Sequence, residues 1–183
     1  MLEEVHAIRF HKTMGSGKTR PCLLTCVRRN GEEIEVVAKL RAGCERKERS
    51  MVNEAIASIF AKDLGLPVPE SFIVEIDPAF AKATYMSDMN AGKLALDSIG
   101  PNFGTIKLPP GYHVLPKGFT LKPNLELVAG DILTFDSFIE NSDRRPENPN
   151  MLYNEEELVI FDHDLAFSFD LVFLCHSGVG RNL

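Results

Sequence analysis

Two short runs in the C-terminal third of this 183-residue chain hold the side chains best suited to chemistry. The first is Asn141-Ser142-Asp143-Arg144-Arg145-Pro146-Glu147-Asn148-Pro149-Asn150, and the second, after a short apolar stretch, is Ile160-Phe161-Asp162-His163-Asp164. Moving a phosphoryl group requires a carboxylate to orient or deprotonate the attacking hydroxyl, and oxygen ligands to hold Mg²⁺ against the donor's phosphates. Asp143 suits the first role. Asp162, at the end of the apolar run Leu158 to Phe161, suits the metal. An asparagine five residues after the catalytic carboxylate is the usual second-metal ligand, and Asn148 has that spacing. Asn150 competes with it, because a loop longer by two residues would bring the amide that directly precedes the strand to the metal instead. Asp164 adds a ligand or fixes the loop, and His163 reads as a structural hydrogen-bonding residue. Asp, Asn and Pro also favour turns, so a plain hairpin cap is the competing reading; the order of the whole set argues against it.

A second group lies toward the N-terminus. Lys39 ends the apolar run Val36-Val37-Ala38-Lys39, a spacing that presents an ammonium to the α- and β-phosphates of a nucleotide when a glutamate of the next helix holds it. Glu54, near the middle of that helix, is the expected partner, because Glu45 and Glu48 fall at or before its start. Gly15-Ser16-Gly17-Lys18-Thr19 looks like a P-loop but lacks a glycine at position 12, where Lys12 stands, and runs into Arg20-Pro21 and a strand instead of a helix. A glycine loop between two antiparallel strands can instead lie over phosphates, offering backbone N–H groups. The alternative is a flexible hairpin tip.

These groups need a scaffold to bring them together. Val5 to Phe10 alternates with strand period, Pro21 to Val27 is strand-like, and Asn30-Gly31 marks a tight turn into Ile34 to Lys39, so three strands form a meander. From Glu48 to Leu64 the period lengthens, with Val52, Ile56, Ile59, Phe60 and Leu64 lining one helical face until Gly65. Ser71 to Ile76 reads as another strand. The Gly-, Pro-, Asn- and Lys-rich stretch from Asp77 to Lys122 is taken as a connection with one strand near Phe103 to Leu108. A helix is expected over about Leu125 to Ile139, with Ala129, Ile132, Phe135 and Ile139 as its stripe, followed by a hairpin of Met151 to Tyr153 and Leu158 to Phe161.

Composition limits the function classes. A 44% hydrophobic chain of this length can bury one core or two small lobes around a cleft. The net charge of −6 is uneven: residues 1–62 carry 12 basic against 8 acidic side chains, and residues 63–183 carry 8 against 18. A basic front and an acidic back suit a cleft that grips phosphate on one side and metal on the other, and give no basis for nucleic-acid binding. The acidic N-terminus lacks the order of a secretory signal and no apolar run reaches the length of a membrane span, so a soluble, cytoplasmic protein is expected. Cys22, Cys26, Cys44 and Cys175 form no C-x-x-C pair and are expected as reduced thiols, not zinc ligands.

Together, Gly15 to Pro21, Val36 to Lys39, Asn141 to Arg145 and Phe161-Asp162-His163-Asp164-Leu165-Ala166-Phe167 resemble the HipA-like kinase family, itself distantly similar to phosphoinositide kinases. The resemblance covers roughly residues 5–167. It implies an α+β, bilobal protein-kinase-like fold with an antiparallel-sheet N-lobe and a helical C-lobe, divided near residue 122. It also implies ATP and Mg²⁺ as ligands and a Ser or Thr hydroxyl of a protein as acceptor. In that frame Asp143 is catalytic; Gly15, Ser16, Gly17, Lys18, Thr19, Lys39 and Glu54 bind nucleotide; and Asp162 with Asn148 or Asn150 binds metal. Two departures stand out. Arg145 replaces a histidine common in such loops, and the chain ends 21 residues after Asp162, so the C-lobe is expected to be cut short, with residues 175–183 as an unrelated tail. A nucleotide-binding pseudokinase or interaction module, or a small-molecule phosphotransferase, are the alternative functions. No acceptor, oligomeric state or antitoxin-like or regulatory partner is named by the sequence.

Overall fold

In the computed structural model, which describes residues 1–15 and 19–168, the N-terminal strands close into a five-stranded barrel. The strands are β1 (Glu3–Thr13), β2 (Cys22–Val27), β3 (Glu33–Lys39), β4 (Ser71–Ile76) and β5 (Gly100–Ile106), ordered β1-β2-β3-β5-β4 around the circle. The meander β1-β2-β3 forms as expected, with Gly31 supplying the positive φ of the turn. The expectation of an antiparallel sheet needs one correction: β1 pairs with β4 in parallel, from Glu3 opposite Phe72 to His6 opposite Glu75. Two register shifts in β1, between Ala7 and Arg9 and between Phe10 and Lys12, bend that long strand so that its two halves serve the circle. Val5, Leu24, Cys26, Val36, Ala38, Phe72, Val74 and Ile76 fill the interior. Because strand side chains alternate, burying Val36 and Ala38 sends Val37 and Lys39 to the outer face.

Helix α1 (Glu48–Asp63) follows β3 and ends as foreseen at Gly65, whose φ of +74° lets Leu66 N–H reach the Ala61 carbonyl at 2.8 Å. Its orientation is a second correction. Val52, Ile56, Phe60 and Leu64, the stripe that reads as a packing face, are 53%, 39%, 42% and 65% exposed. The buried face is Ser50, Asn53, Glu54, Ala57, Ser58 and Ala61. Small residues let the helix approach its neighbours closely, and its polar residues find partners there, so hydrogen bonding outweighs apolar periodicity.

The segment read as a connection holds two helices, α2 (Pro78–Ser87) and α3 (Met89–Leu96), which is a third correction. Each starts on an aspartate cap: Asp77 accepts from Phe80 N–H at 2.7 Å and Asp88 from Ala91 N–H at 2.9 Å. Phe80, Ala81 and Ala95 join the barrel core. A second core gathers Ala57 and Ala61 of α1, Leu66, Leu125, Ile132 and Phe135 of α4 (Pro123–Phe138), Ile139, Leu158, Ile160 and Ala166. Beside α4 lies a small antiparallel sheet of β6 (His113–Val114), β7 (Met151–Tyr153) and β8 (Leu158–Ile160), in which the expected C-terminal hairpin is β7 and β8. No helix among the described residues is long and apolar enough to cross a membrane. The 169–183 segment, including Cys175 and the expected tail, lies outside the described residues.

Two helical glycines give opposite predictions. A Cβ at Gly92 would lie 2.0 Å from the Tyr85 Cα, where backbone must move, whereas one at Gly130 on α4 meets nothing within 4 Å. Gly92→Ala should therefore lower stability by about 3 kcal/mol, and Gly130→Ala should raise it by up to about 1 kcal/mol. Chemical denaturation of both variants reads the opposite signs.

Candidate active site

The site is built where the outer end of β3, the buried face of α1 and two loops of the C-terminal half meet. Lys39 Nζ donates to Glu54 Oε1 and, at 2.7 Å, to Asp162 Oδ1. The other Glu54 oxygen, Oε2, accepts the backbone N–H of His163 at 3.0 Å. Burial leaves only 1% of the Glu54 side chain exposed and would push its carboxyl up; Lys39 and the bond from His163 outweigh that and hold it down at about 2. Burial likewise works against the Lys39 ammonium, and the carboxylates of Glu54 and Asp162 more than reverse it, so the lysine stays charged. The expected Lys39–Glu54 pair thus forms, with Asp162 as a third member.

On the loop between α4 and β7, Asp143 is held by its neighbours. Asn148 Nδ2 and Asn150 Nδ2 both donate to Asp143 Oδ2, at 2.9 and 3.1 Å, and Arg145 Nη2 donates to Oδ1 at 3.3 Å. Reciprocal backbone bonds between Arg145 and Asn148 tighten the turn. Both candidate asparagines therefore stand beside the same carboxylate, the longer loop reaching it as well as the shorter. One oxygen from each of Asp143, Asp162 and Asp164 falls within 4.8 Å of the others. Three carboxylates so close repel one another, and the Asp164 carboxyl is pushed up to about 6, by burial first and then by Asp162. Hard oxygen donors gathered with more negative charge than the site neutralises fit a divalent cation such as Mg²⁺.

Several residues that matter here are not among the expected ones. Arg144 is a buried hub, 4% exposed: its Nε donates to Asp136 Oδ2 at 2.5 Å, its Nη1 to the carbonyls of Asn150 at 2.5 Å and of Pro149 and Phe161 at 3.2 Å, and its Nη2 stands 3.0 Å from His163 Nε2. Asn53 of α1 donates its amide to the carbonyls of Asp164 and Ala166, at 2.9 and 2.8 Å, fixing the loop after Asp162. The signal for Asp136 lay in its placement: it sits beside Phe135 on the stripe of Ile132 and Ile139, and a charge on a buried face requires a partner.

The glycine loop is described only at its two ends. Ser16, Gly17 and Lys18 lie outside the described residues. Gly15, at φ +69°, lines a cavity of about 550 Å³ with Thr13, Arg20, the α3 residues Asn90, Lys93 and Leu94, and the residues Asp88 and Asp97 that flank that helix. The Thr19 carbonyl lies 3.0 Å from where a Cβ on Gly43 would stand. The structure thus groups the described part of the loop with α3 and the segment after β3, not with the carboxylates. The element that follows the loop is strand β2 and not the helix that a P-loop needs.

Asp164 generates a pH prediction. An acid whose pKa is raised on folding, here from 3.8 to about 6, binds more protons folded than unfolded between those values, so rising pH lowers the stability of the metal-free protein across that window. Asp164→Asn removes the effect. Its thermal midpoint should exceed that of the wild type by a margin that widens from about pH 4 to pH 6 and then levels off. Adding Mg²⁺ above pH 6 should narrow the margin.

The chain resembles known proteins in both sequence and fold. A family model described as HipA-like kinase matches residues 7–176. Among solved structures, the crystal structure of a Helicobacter pylori proinflammatory kinase, CtkA, matches with a TM-score of 0.57 over 96% of this chain at 13% sequence identity. This chain spans 66% of that protein's chain, just under two thirds. No curated protein sequence matches. At 13% identity the structural likeness speaks for the fold. The family match runs from β1 past Asp162 over most of the sequence, and on that ground the chain belongs to the HipA-like kinase family.

Proposed function

We propose that this chain transfers the γ-phosphoryl group of ATP, in the presence of Mg²⁺, to a Ser or Thr hydroxyl of a protein substrate. The observation that carries the reading is the convergence of Asp143, Asp162 and Asp164, the second of them bonded to the Lys39 that Glu54 holds. Membership of a kinase family supports phosphoryl transfer in general, and the arrangement of side chains supports the finer assignment.

In this reading Lys39, kept charged by Glu54, binds the α- and β-phosphates. Glu54 acts through Lys39, as a positioning residue. Asp143 receives the acceptor's proton as the hydroxyl oxygen forms its bond to the γ-phosphorus; the bond from that phosphorus to the β,γ-bridging oxygen breaks, and ADP departs with the electron pair. The two amides on Oδ2 and the guanidinium of Arg145 on Oδ1 hold the Asp143 carboxylate in place. Asp162 and Asp164, with Asn148 or Asn150, would hold Mg²⁺, which when bound offsets the phosphates' negative charge. Gly15 to Thr19 would offer backbone N–H groups to the phosphates once brought over the nucleotide.

Two variants separate the roles. Asp162→Ala should abolish Mg²⁺-dependent nucleotide binding, read by calorimetry with a non-hydrolysable ATP analogue. Asp143→Ala should leave that affinity within about threefold while phosphate transfer falls by about 10²–10⁴-fold. Equal loss of binding in both would overturn the assignment. A wild-type chain that binds Mg²⁺ and ATP without turning it over would instead be a nucleotide-binding module.

A further inference from the structure

We infer that Arg144 and His163 are positioning residues that couple the loop carrying Asp143 to the Lys39–Glu54 pair, so that what occupies the nucleotide side of the cleft sets the geometry of the acceptor side. The functional meaning of this coupling rests on the kinase reading; the coupling itself is a property of the fold and is tested separately.

A guanidinium has N–H groups and no acceptor, so the 3.0 Å contact between Arg144 Nη2 and His163 Nε2 makes that ring nitrogen the acceptor. The ring proton of the neutral imidazole is then on Nδ1. Among the described residues that buried atom has no hydrogen-bond partner, and Glu54 Oε2 lies 3.7 Å from it. The same oxygen accepts the backbone N–H of His163, so the main chain of His163 is tied to Glu54 and its ring faces the same carboxylate. On its far side Arg144 grips two carbonyls that flank functional side chains: Asn150, which itself touches Asp143, and Phe161, which precedes Asp162. Asp136 on α4 anchors the guanidinium through Nε.

A continuous path of polar contacts therefore runs from β3 through α1 and the Asp162 loop to the Asp143 loop, and its central members are almost wholly shielded from water. Side-chain exposure is 1% at Glu54, 2% at His163 and 4% at Arg144. Polar groups so buried cannot exchange a lost partner for solvent, so a displacement at one end must be answered along the path. A purely structural role for Arg144 would need only Asp136 and the three carbonyls. The bond to His163 adds nothing to the closure of the Asp143 loop; what it adds is a link to α1.

His163→Phe keeps the ring and its edge contact with Phe135, 6.1 Å between centroids, while removing both ring nitrogens. In the ligand-free protein, Lys39→Met frees both Glu54 and Asp162 from their shared cation, so the effect carried by His163 is the part that its substitution removes. Amide hydrogen exchange over residues 141–150 should then quicken by about fivefold in the wild-type background and by less than about twofold in the His163→Phe background. Equal acceleration in both backgrounds overturns the coupling. His163→Leu supplies the same arm should the Phe variant fail to fold, and His163→Gln, whose amide can accept from Arg144 and donate toward Glu54, should restore the wild-type response. In turnover, His163→Phe should lower kcat by about tenfold or more with KM for ATP within about threefold, and Gln should recover most of it. Loss in KM alone, or no rescue by Gln, counts against the coupling. If the wild type turns over no ATP, the kinase reading fails while the exchange comparison still decides the coupling.

Discussion

A carboxylate sealed from water must find positive charge, and the structure around Glu54 follows from that demand. Its Oε1 is paired with Lys39, which reaches it because β3 buries Val36 and Ala38 in the barrel and so turns the lysine outward. The other oxygen is met by His163, which ties the Asp162 loop to the helix. To deliver Glu54, helix α1 must put its polar and small residues inward, and the apolar stripe of Val52, Ile56, Phe60 and Leu64 is left facing out. Removing one partner of such a buried pair leaves a bare charge in low dielectric, which costs far more than an exposed pair ever contributes. The pair therefore constrains the position of a strand, a helix and a loop at once.

The carboxylate cluster sets the opposite condition. Asp143, Asp162 and Asp164 are brought together at a cost in mutual repulsion, and Lys39 relieves part of it through Asp162. Amides and a guanidinium on Asp143 relieve more. Asp164 keeps the remainder, and its carboxyl is pushed up by burial first and then by Asp162. Unusual backbone lies at the same place: Asn150 and Asp162 both have φ in the left-handed region, at 45° and 62°, although neither is glycine. Such positions persist only where surrounding contacts enforce them, and here the enforcing contacts are Arg144 on the Asn150 and Phe161 carbonyls.

How much of this was legible in the sequence depended on whether a signal was local. The turn at Asn30-Gly31, the stop at Gly65, strand Ser71 to Ile76 and the α4 stripe each rest on a few neighbouring residues, and each appears where expected. Lys39 with Glu54 could be read from strand end and helix middle. Helices α2 and α3 were hidden because a Gly- and Asn-containing composition outweighed two aspartate caps, Asp77 and Asp88, that do mark helix starts. The burial of α1 was hidden for a different reason: periodicity reports where apolar residues lie, not which face a buried carboxylate will claim. The parallel β1–β4 ladder and the Arg144 hub join residues far apart in the chain, and no local pattern encodes such pairings.

The closed circle of strands has a consequence for the order in which the protein can assemble. β5 lies between β3 and β4, and β4 pairs back to β1, so the ring is incomplete until residue 106 has been made. A nascent chain leaving the ribosome before that point presents β3 and β4 with open edges, the condition in which strands recruit the wrong neighbours. Asp143 and Asp162 are synthesised only after the ring can close. Glu54, made well before them, must wait with its lysine for a loop that arrives more than a hundred residues later. The strand order itself thus leaves those edges of β3 and β4 unpaired until β5 is in place.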